Sequence, residues 1–525
     1  MTAIIHGSDT NLIFKKVKSP VIWLRICVYE TNKHEQIKGF LMTQCNWDRS
    51  GEQGQISLNL GLGKPIEGNF DGGQISSDGG LLLLRMADQR LGLSESVKFC
   101  FPENRRPDLI KHPVESLLRQ RIYAIAAGYE DCNDAAMLRF DPMHRLALGR
   151  GPAEGLPLAS QPTLSRFENS VDEVCLNLLQ RSLVHIYTKQ QRRRPKVIRL
   201  AIDTTCDEAF GYQQMTFYNG FYKCSCYVPL FIFTENGFPL ASLLRPGNAG
   251  KYDDTVRMLR PVVDELRKHW RIELTADSAF AAPDIYNYCE LNQITYYIAI
   301  AGNSALQYHS EELVQETKAL YDAASGTSEP LGKYGKFDAE ARKRAWRQNQ
   351  ERLRFSSKFE GRMQEHFEES SLFFRKYSEF RYQARGWAAS RRIIVKVDYT
   401  TEGPDVRYVV TNAERGRPGK IYEKYCQRSQ CENWIKDLKT YLKCDRTSCQ
   451  EFNANQLRLL LHTFAYILLW DLRRRAGLKN ATVETIRLHL LKIGVLVSES
   501  VRRIRLRLAS THPWKHEFYL VWNSS

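Results

Sequence analysis

The stretch Val197-Ile-Arg-Leu-Ala-Ile-Asp203 alternates along its length and ends in a carboxylate. Successive side chains of a β-strand point to opposite faces, so its apolar residues share one face and Asp203 lies on the other. The pattern recurs in Arg271-Ile-Glu-Leu-Thr-Ala-Asp277, which also ends in an aspartate. Two such strands predict a sheet that carries a pair of acids at one edge.

The segments around these two strands predict a mixed α/β fold. Residues 235–237, Glu-Asn-Gly, are typical of a hairpin turn between two further strands. The predicted order is β-β-β-α-β-α-β. The added elements are strands 227–234, 238–244 and 294–300 and helices 252–269 and 283–291. In a ribonuclease-H-like sheet, the first and fourth strands are parallel neighbours, which would bring Asp203 and Asp277 together.

A third acid lies on the helix predicted for residues 425–439, which contain neither glycine nor proline. At about 100° per residue, four polar side chains share an arc of about 60°. They are Tyr425, Arg428, Glu432 and Lys439. Taken alone, such a stripe is typical of a solvated helix face with ordinary ion pairs. Its combination with two strand-end acids favours a functional site.

Two aspartates and a glutamate can together hold two Mg²⁺ ions about 4 Å apart. Such a pair activates water or a 3′-hydroxyl on one side of a phosphodiester and stabilises the leaving oxygen on the other side. Hard divalent ions prefer carboxylate oxygens, which explains acids rather than histidine or cysteine here. Each acid alone is more typical of a cap or turn.

Composition indicates a polyanionic partner. The 525 residues, enough for roughly two to four domains, include 75 Lys and Arg against 59 Asp and Glu. The pI is about 9.2, which favours nucleic acid as a partner. We expect no membrane span, because the apolar runs fall short of about 20 residues. We also expect no signal peptide.

The thirteen cysteines are odd in number and lack a disulfide-framework spacing, which is typical of a reducing cytoplasm. Cys224 and Cys226 would face the same side of a strand. No second pair follows at zinc spacing, so the sequence does not favour a zinc site.

In the N-terminal half, residues 160–169 read Ser-Gln-Pro-Thr-Leu-Ser-Arg-Phe-Glu-Asn. A small capping residue and a first-turn proline predict the start of a helix. Gln161, Thr163 and Arg166 would then be exposed, as at the entry of a DNA-reading helix. An ordinary capped surface helix explains the same pattern equally well.

Changes in composition and hydrophobic pattern along the chain predict six regions. Residues 455–475 are predicted to be a long amphipathic segment, and residues 501–507 a strand with one basic face. The regions are an N-terminal extension of unknown role (1–41), an all-helical DNA-binding region (42–195), the first part of a catalytic core (196–302), a β-containing insertion domain (303–415), the second part of the core (416–475) and a C-terminal region (476–525).

The pattern Tyr425-x2-Arg428-x3-Glu432-x6-Lys439 resembles the Y-R-E-K signature of bacterial insertion-sequence transposases with a DDE site. Further stretches are similar to the group-1 DDE transposase domain, over roughly residues 70–515. They include Phe217-Tyr-Asn-Gly-Phe-Tyr222, Leu244-Arg-Pro-Gly-Asn248, Asp277-Ser-Ala-Phe280, Val409-Val-Thr-Asn412, Ser77-Asp-Gly-Gly-Leu81 and Leu118-Arg-Gln-Arg121.

This resemblance implies that Asp203, Asp277 and Glu432 are the catalytic, metal-binding triad on a ribonuclease-H-like fold interrupted by an insertion. It implies that Tyr425, Arg428 and Lys439 contact DNA phosphates. The cofactor would be two Mg²⁺ ions, for which Mn²⁺ can substitute. The partners would be double-stranded DNA, both terminal inverted repeats and target, bound by a homodimer in the bacterial cytoplasm at the nucleoid. The role of Asp207 is left open.

Three functions are compatible with the sequence. The first is a transposase that cleaves the element ends and joins the 3′-hydroxyl to target DNA. The second is a domesticated or inactive descendant that binds DNA without cutting it. The third is a Mg²⁺-dependent nuclease without strand transfer. The sequence leaves open the terminal repeats, the target preference, a hairpin intermediate and the oligomeric state without DNA.

Overall fold

The chain divides into two units, Met1–Gly73 and Gln74–Ser525. In the first unit, strand β1 (Ile56–Leu58) pairs antiparallel with β2 (Ile66–Gly68). The residues described by the computed structural model are 56–58, 64, 66–103, 105–152, 155–191, 195–325, 373–400 and 402–524. Residues 1–41, the predicted extension of unknown role, lie outside them.

Helices dominate residues 74–191, but this region is not all-helical as predicted, because it begins with strand β3 (Ile75–Ser76). Helix α3 (Val114–Ala127) begins and ends where the sequence dictates. Pro113 precedes the first residue of α3, and Gly128 follows the last with a φ of 96°, a left-handed conformation that glycine adopts readily. The helices are α1 (Leu81–Leu91), α2 (Leu93–Val97), α3 (Val114–Ala127), α4 (Ala135–Leu138), α5 (Pro142–Ala147), α6 (Gln161–Glu168) and α7 (Glu173–Gln190).

A large mixed sheet follows, as the sequence predicted, together with a small three-stranded ribbon of order β5-β7-β6. Within the described residues the large sheet has eight strands, in the order β12 (Phe374–Tyr382), β13 (Arg391–Thr400), β14 (Gly403–Thr411), β11 (Thr295–Ile300), β10 (Arg271–Ala276), β4 (Val197–Thr204), β8 (Leu230–Thr234) and β9 (Pro239–Leu243). The first eight strands of this region are β4 (Val197–Thr204), β5 (Asp207–Glu208), β6 (Phe217–Asn219), β7 (Cys224–Tyr227), β8 (Leu230–Thr234), β9 (Pro239–Leu243), β10 (Arg271–Ala276) and β11 (Thr295–Ile300).

Strands β4 and β10 are parallel neighbours, paired from Val197 with Arg271 to Ile202 with Ala276. Strand β8 runs antiparallel to β4 on its other side, and β11 runs parallel to β10. The helices α8 (Thr255–Leu266) and α9 (Pro283–Leu291) connect β9 to β10 and β10 to β11. The predicted order of elements is therefore found in the large sheet, with three further short strands, β5 to β7, between its first and second strands.

The strands that follow residue 372 continue the same sheet. Strand β12 (Phe374–Tyr382) pairs with β13 (Arg391–Thr400), β13 with β14 (Gly403–Thr411), and β14 with β11. The sequence placed them in an insertion domain, but hydrogen bonding makes them an extension of the main sheet. Helix α10 (Ser304–Ser325) packs on β12 and β13. Residues 326–372 of the predicted insertion lie outside the described residues, and the domain boundaries stay a prediction.

The helix predicted for 425–439 forms as three consecutive pieces. Helix α11 (Pro418–Cys426) is followed by a turn at residues 427–428, then by α12 (Ser429–Lys436) and by a π-helical segment, Asp437–Tyr441. A π-helix turns less per residue than an α-helix, so side chains beyond Lys436 leave the arc that a regular helix would give them.

Helix α13 (Phe452–Arg475) is buried on all sides rather than amphipathic as predicted. Every residue from Ala454 to Arg473 is buried. On one side, Gln456 accepts a hydrogen bond from the backbone N–H of Leu244 at 2.6 Å. On the other, Arg458 pairs with Glu168 of α6 at 3.2 Å. The helix thus joins the N-terminal helices to the sheet.

The C-terminal part contains the basic strand that the sequence predicted. Arg503, Arg505 and Arg507 of the last strand are exposed. This part contains α14 (Val483–Ile486), β15 (Val495–Ser500), β16 (Arg503–Leu508) and α15 (Lys515–Trp522). Strand β15 pairs with both β16 and β3. Across the described part of the chain, no helix has the length and apolar character that a bilayer crossing requires.

His462 on α13 makes stability depend on pH. It is 1% exposed, and its Nε2 has no hydrogen-bond partner. Burial lowers its pKa from 6.5 to about 3, so the unfolded chain binds a proton that the folded chain does not. The stability contribution of neutral His462 is complete above pH 6.5 and is lost as pH falls towards 3.

We therefore expect His462→Gln to lose less unfolding free energy than wild type between pH 7 and about pH 5. Denaturant unfolding at both pH values measures the difference. His309→Gln, at an exposed position, controls for removal of one histidine. An equal pH dependence of the His462 variant and wild type would contradict this account.

Candidate active site

The two strand-end aspartates lie side by side at one edge of the main sheet. Asp203 follows Ile202, and Asp277 follows Ala276. Ile202 and Ala276 are paired across β4 and β10. The Asp203 carboxylate accepts a hydrogen bond from the N–H of Thr204 at 2.8 Å. The Asp277 carboxylate accepts one from the N–H of Ala279 at 3.0 Å and so caps a short 3-10 helix. Both side chains are held in place by local backbone.

A polar cluster fixes α11 over the same face of the sheet. Glu273 lies four residues before Asp277 on the same face of β10. Its carboxylate accepts from Lys424 of α11 at 2.6 Å and from Arg199 of β4 at 2.7 Å. Burial alone would raise the pKa of Glu273, but these two cations lower it. The charged Glu273 therefore connects α11 to β4 and β10.

Helix α12 is positioned by an aromatic contact. The Trp434 ring lies 5.4 Å from that of Phe233 on β8, centroid to centroid. It also covers Gly237 in the β8–β9 turn, where an added Cβ would come within 2.7 Å of the indole. Gly237 has a φ of 81°, so the turn and the close approach both need glycine. This contact sets the depth of the helix that carries Glu432.

Arg428 connects the third acid to the two aspartates. Its guanidinium donates to Glu432 at 3.0 Å, and its side chain is 14% exposed whereas that of Glu432 is 63% exposed. The pKa of Asp203 is raised to about 7, mainly by burial and then by Asp277 and Glu432, while Arg428 and the Thr204 N–H oppose the rise. The structure thus brings Asp203, Asp277, Glu432 and Arg428 into one electrostatic cluster.

Tyr425 lies at the margin of this cluster. Its ring is 6.0 Å from the Arg428 guanidinium, within the range of a cation–π contact. Burial raises the pKa of the Tyr425 phenol; Arg428 lowers it, and Asp277 raises it. Three of the four predicted stripe residues, Tyr425, Arg428 and Glu432, are therefore grouped beside the two aspartates.

The fourth stripe residue, Lys439, contacts the segment that follows Asp203. Its ammonium lies 3.2 Å from the Thr205 hydroxyl, contacts the Cys206 carbonyl, and pairs with Asp207 at 3.2 Å. The Asp207 side chain is fully buried, and burial raises its pKa to about 6 although Lys439 opposes the rise. Asp207, whose role the sequence left open, thus has a cationic partner inside the protein.

The predicted readout residues lie on α6, with Ser160 at its N-cap and Pro162 in its first turn, as expected. Arg166 is exposed, and its guanidinium lies 3.4 Å from the Thr163 hydroxyl. Gln161 and Thr163 are half-buried, so they are less exposed than predicted.

The side chains of the cluster are of the type that binds a hard divalent cation. The three side chains offer only carboxylate oxygens, the ligand type that Mg²⁺ and Mn²⁺ prefer. Burial is the main cause of the raised pKa of Asp203, and the neighbouring Asp277 adds to it, so the charged form of Asp203 is costly although Arg428 partly compensates. A cation between the carboxylates would remove this electrostatic cost.

Sequence reasoning missed three residues that shape the site. Glu273 and Lys424 were not singled out, although an acid in an otherwise apolar strand was a usable signal. Cys206 has no local sequence signal, because Cys224 and Cys226, its neighbours in space, lie well beyond it along the chain. The structure places the sulfurs of these three cysteines within 4.8 Å of one another.

We expect Lys439→Met to lower the free energy of unfolding by on the order of 3 kcal/mol, because Asp207 would remain buried without its cation. Adding Asp207→Asn to this variant should recover part of the loss. Denaturant unfolding of the single and double variants measures both effects.

Lys420→Met is the matched control, because the Lys420–Glu423 pair has side chains 74% and 60% exposed. It should cost under about 1 kcal/mol. Equal losses for the Lys439 and Lys420 variants would show that the buried pair contributes no more than a surface pair.

Comparisons with known proteins place this arrangement in a family. The family model described as Transposase DDE domain group 1 matches residues 58–524. Among solved structures, the chain is similar to the piggyBac transposase synaptic complex with hairpin DNA, solved by cryo-electron microscopy. The identity is 10%, 78% of each chain is covered, and the TM-score is 0.37. No curated protein matches the chain. On the match over residues 58–524, the protein belongs to the group-1 DDE domain family of transposases.

Proposed function

We propose that this protein cleaves the ends of an insertion sequence and joins the resulting 3′-hydroxyl to target DNA by metal-dependent phosphoryl transfer. The observation that supports the proposal is that Asp203 interacts electrostatically with Asp277 on the neighbouring parallel strand and with Arg428 and Glu432 at α12. Family membership adds that such domains act in transposition.

In this proposal Asp203, Asp277 and Glu432 hold two divalent ions, Mg²⁺ or in its place Mn²⁺. When bound, such ions supply Lewis-acid stabilisation of the attacking and leaving oxygens. Asp203 interacts electrostatically with both Asp277 and Glu432 and would be the central ligand of the set. Glu432, the most exposed of the three, is free to adjust to bound DNA.

Arg428 and Tyr425 are proposed to contact DNA phosphates beside the carboxylates. A guanidinium can hold a phosphate with two parallel hydrogen bonds and so fix the scissile bond for in-line attack. For Lys439, its contacts with Cys206 and Asp207 favour a different role from the phosphate contact that the Y-R-E-K resemblance implies. Lys439 would fix the segment after Asp203 and act as a positioning residue.

The strand order supports the proposal of a ribonuclease-H-like core. Strands β9, β8 and β4 are antiparallel neighbours, and β10 and β11 continue the sheet parallel to β4. This is the order in which the first and fourth strands of the core lie side by side. The continuation into β14, β13 and β12 would be an extension particular to this type of chain.

The DNA partner is proposed to be double-stranded, both at the terminal inverted repeats and at the target. A formal net charge of +16 favours a long phosphate footprint. Exposed Arg166 on α6 is proposed for base readout, with Gln161 and Thr163 beside it, and the arginines of β16 for backbone contact. A homodimer on DNA would supply one active site to each element end.

The other two functions remain testable alternatives: a descendant that only binds DNA, and a nuclease without strand transfer. Purified protein, Mg²⁺ and a duplex that carries an element end distinguish them. Binding alone, cleavage alone, or cleavage followed by joining to a second duplex each corresponds to one function. The duplex is to be designed from the inverted repeats that the proposal expects on either side of the gene.

We expect Asp203→Asn, Asp277→Asn and Glu432→Gln each to abolish strand cleavage while binding to the end-containing duplex is retained, because only metal ligands are lost. Gel assays for cleavage and binding measure both. Glu423→Gln, at an exposed carboxylate on α11, should cleave normally. A triad variant that cuts at a near-normal rate would remove that residue from the site.

We also expect Arg428→Ala to lower the cleavage rate at least tenfold, since a misplacement of about 1 Å costs on the order of 100-fold. Arg428→Lys should recover only part of the rate, because an ammonium lacks the bidentate geometry. Tyr425→Phe should be milder.

Single-turnover cleavage rates beside melting curves separate a loss of rate from a loss of fold in these variants. Arg417→Ala, at an exposed position at the start of α11, is the control. Normal cleavage by Arg428→Ala would contradict the proposal and favour the interpretation of these side chains as an ordinary solvated helix face.

A further inference from the structure

Three cysteines meet beside the segment that follows Asp203. Their sulfurs all lie within 4.8 Å of one another, and those of Cys206 and Cys224 are 3.6 Å apart. Cys224 and Cys226 lie on β7, whereas Cys206 lies between β4 and β5. Folding therefore adds a third thiol to the Cys-x-Cys pair, which was too small a set to indicate a site by itself.

We infer that Cys206, Cys224 and Cys226 form a Zn²⁺ site separate from the carboxylate cluster. In a tetrahedral thiolate site with Zn–S bonds of about 2.3 Å, neighbouring sulfurs are about 3.8 Å apart. The Cys206–Cys224 separation of 3.6 Å is close to this edge. The third sulfur lies within 4.8 Å of both, so modest side-chain rotation completes a three-sulfur face.

The donor set selects the class of metal. Thiolates favour Zn²⁺ and other soft or borderline ions, whereas Mg²⁺ and Mn²⁺ favour the carboxylates of the neighbouring cluster. A disulfide would use only two of the three sulfurs and would need a separation near 2.0 Å. Three thiols at metal-binding distances therefore fit an ion better than a bond between two of them.

The site is open on one side. Cys226 is buried, while Cys206 and Cys224 are half-buried. Among the described residues, no fourth histidine, cysteine or carboxylate belongs to the group. A water molecule would complete the tetrahedron from the solvent side.

The metal would connect the β4–β5 segment with β7, which are otherwise joined here by the short pairing of β5 with β7. Strand β5 joins β7 through two residue pairs, Asp207 with Tyr227 and Glu208 with Cys226. The same ribbon carries the exposed side chains of Tyr218 and Phe221, 66% and 77% accessible. A Zn²⁺ ion held by Cys206 and β7 would fix this ribbon to β4, the strand that carries Asp203.

The test measures zinc directly and stands whether or not the protein cleaves DNA. The full chain is purified with a reductant and without a chelator, and its zinc content is measured by mass spectrometry. We expect about one zinc per chain at this site, lost in Cys206→Ser, Cys224→Ser and Cys226→Ser. Cys426→Ser, at an exposed cysteine, should keep it.

Replacement of the zinc by Co²⁺ gives a second readout on the wild-type chain. Thiolate-to-cobalt charge-transfer absorption, with intense d–d bands of a four-coordinate ion, is expected in wild type and in Cys426→Ser. Both signals should be absent in Cys224→Ser. The two half-buried positions, Cys206 and Cys224, decide the matter even if the buried Cys226 variant does not fold.

Two results would overturn the inference. One is a reduced wild-type chain that neither contains zinc nor takes up added Zn²⁺ in competition with a colorimetric chelator. The other is an equal zinc content in wild type and in the three variants, which would place the metal elsewhere. A Cys206–Cys224 disulfide in a chain that, once reduced, still binds no zinc would make the cluster a thiol pair instead.

Discussion

The parallel pairing of β4 with β10 is the constraint on which the rest of the site depends. Its register runs without a bulge from Val197–Arg271 to Ile202–Ala276, so Asp203 and Asp277 leave the sheet at the same level and on the same face. A shift of one residue would move one carboxylate to the opposite face. Because that face is where α11 and α12 pack, the register also determines which acids the helix can meet.

Helix α12, which carries Glu432, is held in place by contacts that the residue after its C-terminal end makes with α13 and α14. Asp437, at the start of the π-helical segment, accepts from Arg473 of α13 at 3.1 Å and from the N–H of Val483 at 3.2 Å. Helix α13 is buried along almost its whole length, so its position is fixed by the N-terminal helices as well as by the sheet. The geometry of the carboxylate cluster therefore depends on packing far from it.

The sequence predicted the elements that follow a local period. Alternation ending in an aspartate was enough to find β4 and β10, and helical spacing was enough to place Arg428 and Glu432 together. It failed where the outcome depends on distant contacts. The pairing of β14 with β11 joins residues more than a hundred positions apart, and nothing local distinguishes an added sheet strand from a separate domain. The burial of α13 likewise depends on what surrounds it.

Lys439 shows how a small backbone irregularity changes a functional prediction. A regular helix would place it on the arc of Arg428 and Glu432, but the residues after Lys436 adopt π-helical geometry. Its ammonium then meets Asp207, a carboxylate that would otherwise be buried without a cation. Helical periodicity alone does not predict the π-helical segment that brings Lys439 to Asp207.

The carboxylate cluster is acidic, whereas the chain as a whole is basic, and this difference affects how DNA can approach the site. The chain carries a formal net charge of +16, which attracts phosphates over long distances. Yet the cluster sets three carboxylates against the single guanidinium of Arg428, and burial with Asp277 raises the pKa of Asp203 to about 7. A phosphate drawn to the basic surface would be repelled at the carboxylates unless cations lie between them. Metal binding and DNA binding should therefore be coupled, because each lowers the electrostatic cost of the other.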